Sequence, residues 1–204
     1  MMLLRFSLEN HKSLRDRVEL DLVSSTLTAQ RPKDGDWTAV VHPVAGLFGA
    51  NASGKSTVLN ALAYAQAAVQ HSATTWLKSK RPPRAPFLLD DEHPNLPSTY
   101  SFDMVIDGIR HEYGFSISPD GIDSEWLIDY PNGRRRLLFD RVWEREDRFE
   151  FGRALPRSSS IAAGVSRREL LLSRAAVLEH PGLTRVASAI TDEIELALFG
   201  DSYQ

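Results

Sequence analysis

Alternating apolar and polar residues between positions 99 and 151 constrain the fold of this chain most strongly. A period of two places successive side chains on opposite faces of a strand, so each run predicts a strand with one buried face. Three turn sequences separate the runs: Asp107-Gly108, Pro119-Asp120-Gly121 and Pro131-Asn132-Gly133. Their residue types favour tight reversals of the backbone. The segment therefore predicts an antiparallel meander, with a fourth strand in 137–143 and a short fifth strand in 148–151.

The first residues of the chain show the same alternation. Leu4, Phe6 and Leu8 share one face of a predicted strand, and residues 18–23 alternate again after a turn at 10–13. Residues 2–23 are therefore predicted to form a β-hairpin. The following stretch to residue 38 carries serine, threonine, proline and glycine and is predicted to form a loop.

A glycine-rich motif follows this loop. The pattern G-x-x-x-x-G-K-[ST] is matched by Gly49, Ala50, Asn51, Ala52, Ser53, Gly54, Lys55, Ser56 and Thr57. The mostly apolar run 39–48 before the motif predicts a buried parallel strand. Helix-forming residues after it predict a helix that ends near Lys78. Strand, loop and helix in this order are the setting in which such a motif binds phosphate groups.

Each fixed position of the motif meets a requirement of a bound triphosphate. Gly49 and Gly54 allow backbone conformations and close approaches that a Cβ atom would block. The N–H groups between them and the start of the next helix together attract an anion. Lys55 is predicted to reach the β- and γ-phosphates, and the Ser56 hydroxyl is predicted to bind Mg²⁺. The motif therefore predicts a nucleotide site with a bound Mg²⁺.

Composition narrows the remaining possibilities. The 204 residues include 24 Lys and Arg against 27 Asp and Glu, a formal net charge of −3, which gives no general support for a nucleic-acid partner. A basic cluster at 133–136 is a local candidate for such contact, with a solvated turn as the alternative. The absence of cysteine excludes disulfides and thiolate metal sites. Because no apolar run approaches the ~20 residues that cross a bilayer and no signal peptide opens the chain, we expect a cytoplasmic protein without a membrane partner.

Two helices are predicted near the end of the sequence. Ser166 and Glu169 fit a capping box that opens a helix reaching about residue 179. A Pro-Gly pair at 181–182 ends that helix. An amphipathic pattern then predicts a last helix over roughly 183–198.

Several short motifs follow one another in a characteristic order. They are Phe6, Glu9, Asn10, Lys12 and Ser13 around the first turn, residues 49–57, Pro86 to Leu89, Tyr100 to Phe102, Ile106 to Gly108, Tyr113 to Phe115, Glu125 to Leu127, Leu138 to Arg141, and Leu170 to Ala176. In this order they resemble the motifs of RecF- and SMC-like ATPase heads. Those heads belong to the ABC-type AAA family ATPases, which include the OLD-like and abortive-infection proteins of phage defence.

The resemblance implies an α/β fold of the P-loop NTPase, ABC-head type, with an incomplete core sheet, an antiparallel β-meander arm and C-terminal helices. It implies a hairpin and phosphate-loop core over 1–80, the arm over 81–152 and a helical segment over 153–204. It also implies that ATP is the nucleotide and lies between two such heads. Lys12 occupies the place where these heads often carry a basic residue near the nucleotide, and a solvated hairpin lysine is the alternative.

Other elements of such heads are harder to find in the sequence. We find no signature segment and no convincing Walker B strand. The segment Phe87-Leu88-Leu89-Asp90-Asp91-Glu92 has three apolar residues before its acids. It has two interpretations: Asp90 or Asp91 binds Mg²⁺, or the segment leads into the arm. The catalytic residues are therefore unknown at this point.

Three functional hypotheses follow from these observations. The first is an ATP-binding protein with weak or no hydrolysis of its own. Its partner would be a second ATPase head, supplied by another copy of the chain in a homodimer or by a complementary subunit. The second is a docking subunit of a phage-defence or DNA-maintenance complex, with vestigial nucleotide binding and an effector nuclease as one candidate partner. The third is a small self-contained NTPase or kinase that uses Asp90 or Asp91.

Overall fold

Seven strands form one sheet in the computed structural model, which describes residues 1–24, 27, 31–51, 53–155 and 158–196. Every pair of neighbouring strands is antiparallel, in the order β2-β1-β3-β4-β5-β6-β7. The strands are β1 Met2–Glu9, β2 Val18–Asp21, β3 Ser98–Ile106, β4 Ile109–Ser118, β5 Gly121–Asp129, β6 Arg136–Val142 and β7 Phe149–Phe151. The predicted hairpin and the predicted five-stranded meander are both confirmed.

The reversals between the strands use the predicted turn residues. Asp107 and Gly108 both have positive φ, 51° and 80°, which is the backbone form that matches the twist of a two-residue hairpin. Asn132 and Gly133 likewise have φ of 55° and 76° between β5 and β6. Strand β1 lies between β2 and β3, so the hairpin and the meander share one sheet.

Helices cover one face of this sheet and bury its apolar side chains. They are α1 Lys55–His71, α2 Ser158–Ala162, α3 Leu171–Val177 and α4 Leu183–Asp192. Small residues of α1, among them Ala61 and Ala65, pack in the same core as Phe6 and Phe102 of the sheet. The opposite face carries charged pairs, such as Arg110 with Asp103 at 2.7 Å, and a smaller apolar cluster around Leu4, Trp37 and Val105.

The predicted parallel strand over 39–48 is wrong. His42 donates its N–H to the Leu22 carbonyl at 2.7 Å, and Val41 forms an antiparallel bridge with Val23. Residues 44–48 pair with no strand in the described part of the chain, and the side chains of Val44 and Phe48 are 84% and 94% exposed. A buried parallel strand needs neighbours on both sides, and the sheet described here is antiparallel only. The expected α/β fold is therefore met in part: helices pack on a sheet, but the described sheet has no parallel strands.

The first helix ends earlier than predicted, at His71 rather than near Lys78. Ala73 donates its N–H to Ser173 Oγ at 3.1 Å, which diverts a backbone donor from the helix. Ser72 Oγ in turn accepts the N–H of Leu170 at 3.1 Å. A separate 3₁₀ turn at Trp76–Lys78 follows. Contacts with a distant segment thus set the end of α1.

The third helix starts later than its capping box predicts. Ser166 donates its N–H to Glu169 Oε1 at 2.9 Å, as a capping box does, but α3 begins only at Leu171. The Glu125 carboxylate accepts the N–H groups of Leu171 at 2.6 Å and Leu172 at 2.9 Å, so it caps the helix there. The helix ends at Val177 and the next one at Asp192, both short of the predicted bounds. Residues 197 and 198 of the predicted last helix lie outside the described residues.

Candidate functional site

The glycine-rich segment forms a loop that leads directly into α1. Gly54 precedes the helix with φ of +88°, a left-handed conformation that side chains rarely adopt. A Cβ atom at Gly54 would lie 2.9 Å from Leu14 Cδ2, and one at Gly49 would lie 2.7 Å from Ser53 Oγ. Because the helix begins at Lys55, its first N–H groups have no partner within the helix and lie at the end of the loop. The geometry suits an anion at this end of α1.

The Lys55 side chain folds onto the same loop. Its Nζ donates to the carbonyls of Gly49 at 2.7 Å and Ala50 at 2.6 Å, and it lies 3.3 Å from Ser53 Oγ. The ammonium group therefore adds a full positive charge to the partial charge of the helix start. Four of the predicted site residues are brought together in this way.

The other predicted residues of the loop are placed less tightly. Asn51 and Ser56 are exposed, and Ala52 lies outside the described residues. Thr57 Oγ1 lies 2.8 Å from Ser13 Oγ, so the motif also contacts the first hairpin. Among the residues that the structure describes, no cluster of three or more His, Asp or Glu side chains is placed to hold a metal ion. The role of Ser56 as a Mg²⁺ ligand stays a prediction.

The turn between β1 and β2 rests on the first two turns of α1. His11 Nε2 lies 3.0 Å from Asn60 Oδ1, and Leu14 lies against the Gly54 backbone. Sequence reasoning gave no role to His11, Leu14 or Asn60, and it used Ser13 only as part of a family motif. A detectable signal was the polar Asn-His-Lys-Ser sequence between two alternating runs, which marks the turn but not its contact with α1.

Asn10 anchors this turn to the segment before β3. Its Nδ2 donates to the carbonyls of His93 at 2.8 Å and Leu96 at 3.0 Å, and its Oδ1 accepts the N–H of Phe87 at 2.9 Å. Lys12 donates its N–H to the Ala85 carbonyl at 2.7 Å and has φ of 49°. The Lys12 side chain is exposed beside the contacts that the turn makes with α1. Its backbone is thus fixed, and its role beside a nucleotide stays a prediction.

His11 is fully buried between the turn, the helix and the sheet. Its Nδ1 lies 2.7 Å from the Tyr100 hydroxyl on β3, and its ring contacts that of Tyr64 on α1. Burial lowers the pKa of His11, the hydrogen bond to Asn60 opposes that shift, and the charge of Lys12 adds to it. The imidazole is therefore neutral at neutral pH.

The segment 87–92 does not form a Walker B strand, because it has no strand structure and Leu88 and Leu89 are exposed. Asp90 Oδ1 accepts the N–H groups of Glu92 at 3.1 Å and His93 at 2.8 Å, and its carboxylate pairs with the His93 ring. The N–H of His93 is the main reason why the pKa of Asp90 is lowered. The acids therefore close a turn that leads into the meander, the second of the two interpretations.

Comparison with known proteins places the chain in a class that agrees with this geometry. The model of an AAA domain matches residues 44–198, which include the glycine-rich loop, the meander and the helices that follow. The chain belongs to that family, the AAA domains of the AbiEii-toxin type from type IV toxin–antitoxin systems. No curated protein matches the chain. None of the helices in the described ranges is long and apolar enough to span a bilayer.

Proposed function

We propose that the chain binds ATP with Mg²⁺ through residues 49–57. The observation that carries the proposal is the left-handed Gly54, which turns the G-x-x-x-x-G-K-[ST] loop into the start of α1 at Lys55. The N–H groups of the loop and of the helix start would hold the phosphates. The Lys55 ammonium group would leave the carbonyls of Gly49 and Ala50 and donate to oxygens of the β- and γ-phosphates. Membership of an AAA domain family supports the nucleotide.

Two further residues take roles in this proposal. The exposed Ser56 hydroxyl lies one residue into α1, where it would bind Mg²⁺. Lys12 would add a second positive charge beside the phosphates, since its turn rests on the same helix. Because its side chain is exposed, we assign it a supporting role.

The proposal covers binding, with weak or no hydrolysis by this chain alone. Phosphoryl transfer to water requires a group that orients the water beside the γ-phosphate. Asp90, a carboxylate that follows the motif in sequence, is engaged with His93 instead. This contact disfavours a self-contained NTPase or kinase that relies on Asp90, and Asp91 stays an alternative.

Replacement of Lys55 tests the binding site. Lys55→Ala removes a charge-assisted contact with the phosphates, and we expect affinity for ATP with Mg²⁺ to fall about ten- to a hundredfold in isothermal titration calorimetry. Lys33→Ala is the matched control, because Lys33 is an exposed lysine in the loop before Trp37. Equal affinity of the wild type and the Lys55→Ala variant would refute the proposed site.

A role in docking a partner is the second candidate function. Val44 and Phe48 are apolar, almost fully exposed and adjacent to the loop. Exposed apolar surface of this kind can mark a site where another protein binds. A second ATPase head is the partner that we propose first, as a homodimer or a complementary subunit, and an effector nuclease remains a candidate.

The homodimer is directly testable. We expect the wild type to dimerise in sedimentation velocity experiments with ATP and Mg²⁺, and Phe48→Ser to remain monomeric because it removes exposed apolar surface. Leu89→Ser is the control, since Leu89 is also largely exposed, at 83%, but lies in the segment before β3. A monomeric wild type at all concentrations would exclude the homodimer and leave the complementary subunit.

A further inference from the structure

We propose that His11 is a positioning residue for nucleotide binding. It fixes the position of the turn between β1 and β2 relative to the phosphate loop. The inference rests on the proposed function, because its effect is on ATP binding at residues 49–57. The His11 side chain bonds to Tyr100 and Asn60 rather than to a described residue of the loop. It would act through Ser13 and Leu14, which contact the loop end of α1.

The backbone of the turn transmits the position of the ring to these two residues. His11 donates its N–H to the Leu14 carbonyl at 2.8 Å, and Leu14 returns its N–H to the His11 carbonyl at 2.9 Å. This reciprocal pair closes a four-residue turn that contains Lys12 and Ser13. A shift of the His11 ring therefore moves the whole turn relative to Gly54.

The ring itself is fixed from two sides by hydrogen bonds of defined polarity. Asn60 Oδ1 is an acceptor, so the 3.0 Å contact requires a proton on His11 Nε2. The Tyr100 hydroxyl then donates to His11 Nδ1 at 2.7 Å. Asn60 lies on the phosphate-loop helix and Tyr100 lies on the sheet, so His11 bridges the two layers.

This arrangement needs a neutral imidazole. A protonated ring carries hydrogen on both nitrogens and cannot accept the Tyr100 proton. The groups around His11 disfavour that extra charge: Lys12 belongs to the same turn, the rings of Tyr64 and Tyr100 pack against the imidazole, and the positive Arg84 acts on both phenols. Protonation in acid would therefore break one bond of the bridge and loosen the turn.

Two replacements of His11 separate hydrogen bonding from shape. His11→Phe keeps a ring but leaves Tyr100 and Asn60 without their partner, and we expect affinity for ATP with Mg²⁺ to fall about three- to tenfold. His11→Gln supplies one donor and one acceptor, and we expect it to retain affinity near that of the wild type. Asn60→Ala, a smaller change, serves in place of His11→Phe if that variant does not fold.

A second buried histidine provides the control for general loss of stability. His111 is also buried, bonds to the Ile109 carbonyl at 2.9 Å, and lies opposite Met104, toward the other end of β3 from Tyr100. His111→Phe should lower the melting temperature without changing ATP affinity. If His111→Phe and His11→Phe reduce affinity equally, or if His11→Phe binds as tightly as the wild type, the positioning role is wrong.

The pH profile gives a readout that a purely structural role would not move. Between about pH 7.5 and 5.5, ATP affinity of the wild type should fall more steeply than that of His11→Gln, which does not titrate. Parallel profiles for the two proteins would overturn the proposal. A wild type that binds no ATP at pH 7.5 would instead refute the proposed function, and the role of His11 with it.

Discussion

At the scale of single residues, the side chain of Glu125 holds the sheet and helices together. It is fully buried on β5, and its carboxylate accepts hydrogen bonds from the N–H groups of Leu171 and Leu172 and from the Tyr113 hydroxyl. Arg141 on β6, also fully buried, lies 3.4 Å away. Burial raises the pKa of the Glu125 carboxyl group, and these donors oppose that rise. One side chain thus sets where α3 begins and balances a buried cation.

Glu125→Gln tests this residue. The amide has a single oxygen and no charge, so it cannot serve all the donors, and the buried Arg141 loses the negative charge that lies 3.4 Å away. We expect the free energy of unfolding to fall by roughly 3–5 kcal/mol, since breaking a buried ion pair is costly. Urea denaturation measures this change, and Glu150→Gln on the exposed side of β7 is the control. Equal small effects from both variants would contradict the assignment.

At the scale of elements, local patterns predicted the hairpin and the meander, but not the pairing of β1 with β3 that joins them. The hairpin and meander follow from alternation and turn residues that lie within a few positions of each other, as at Asp107 and Gly108. The run 39–48 has the composition of a buried strand, but composition does not supply the neighbouring strands that such a run requires. The helix ends were missed because distant side chains, Ser173 for α1 and Glu125 for α3, take their backbone donors.

The candidate site was likewise predicted from the sequence only in part. The loop from Gly49 to Lys55 was predictable because the motif is contiguous and each position has a physical reason. The turn at 10–14 was visible as a turn, but its side-chain hydrogen bonds to α1 join residues 44 and 49 positions apart, such as Ser13 with Thr57. The sequence therefore indicates where phosphate would bind and not what surrounds that place.

At the scale of the whole molecule, buried histidines tie stability to pH. Burial is the main cause that lowers the pKa of His11 and of His111. Below the unfolded pKa of about 6.5, the unfolded chain binds more protons than the folded one at these positions, so stability decreases as pH falls. Carboxylates with lowered pKa, such as Asp90, add to this loss only at more acidic pH.

The free energy of unfolding should therefore decrease from pH 7.5 to pH 5.5. Urea denaturation at the two pH values measures it, and a variant with both His11→Gln and His111→Gln should show a smaller decrease because neither position titrates. An identical decrease in the wild type and the double variant would mean that other groups carry the dependence.

The place of β1 in the sheet has a consequence for how the chain is made. β1 is synthesised before β3, yet β3 is one of its two partners, and their pairing joins Glu9 to Thr99. Until β3 emerges, β1 has a single neighbour, β2, and the apolar residues Phe6 and Leu8 lack most of their cover. During synthesis the glycine-rich loop is therefore complete in sequence before the sheet beneath its helix has formed, and β1 has an unpaired strand edge for that interval.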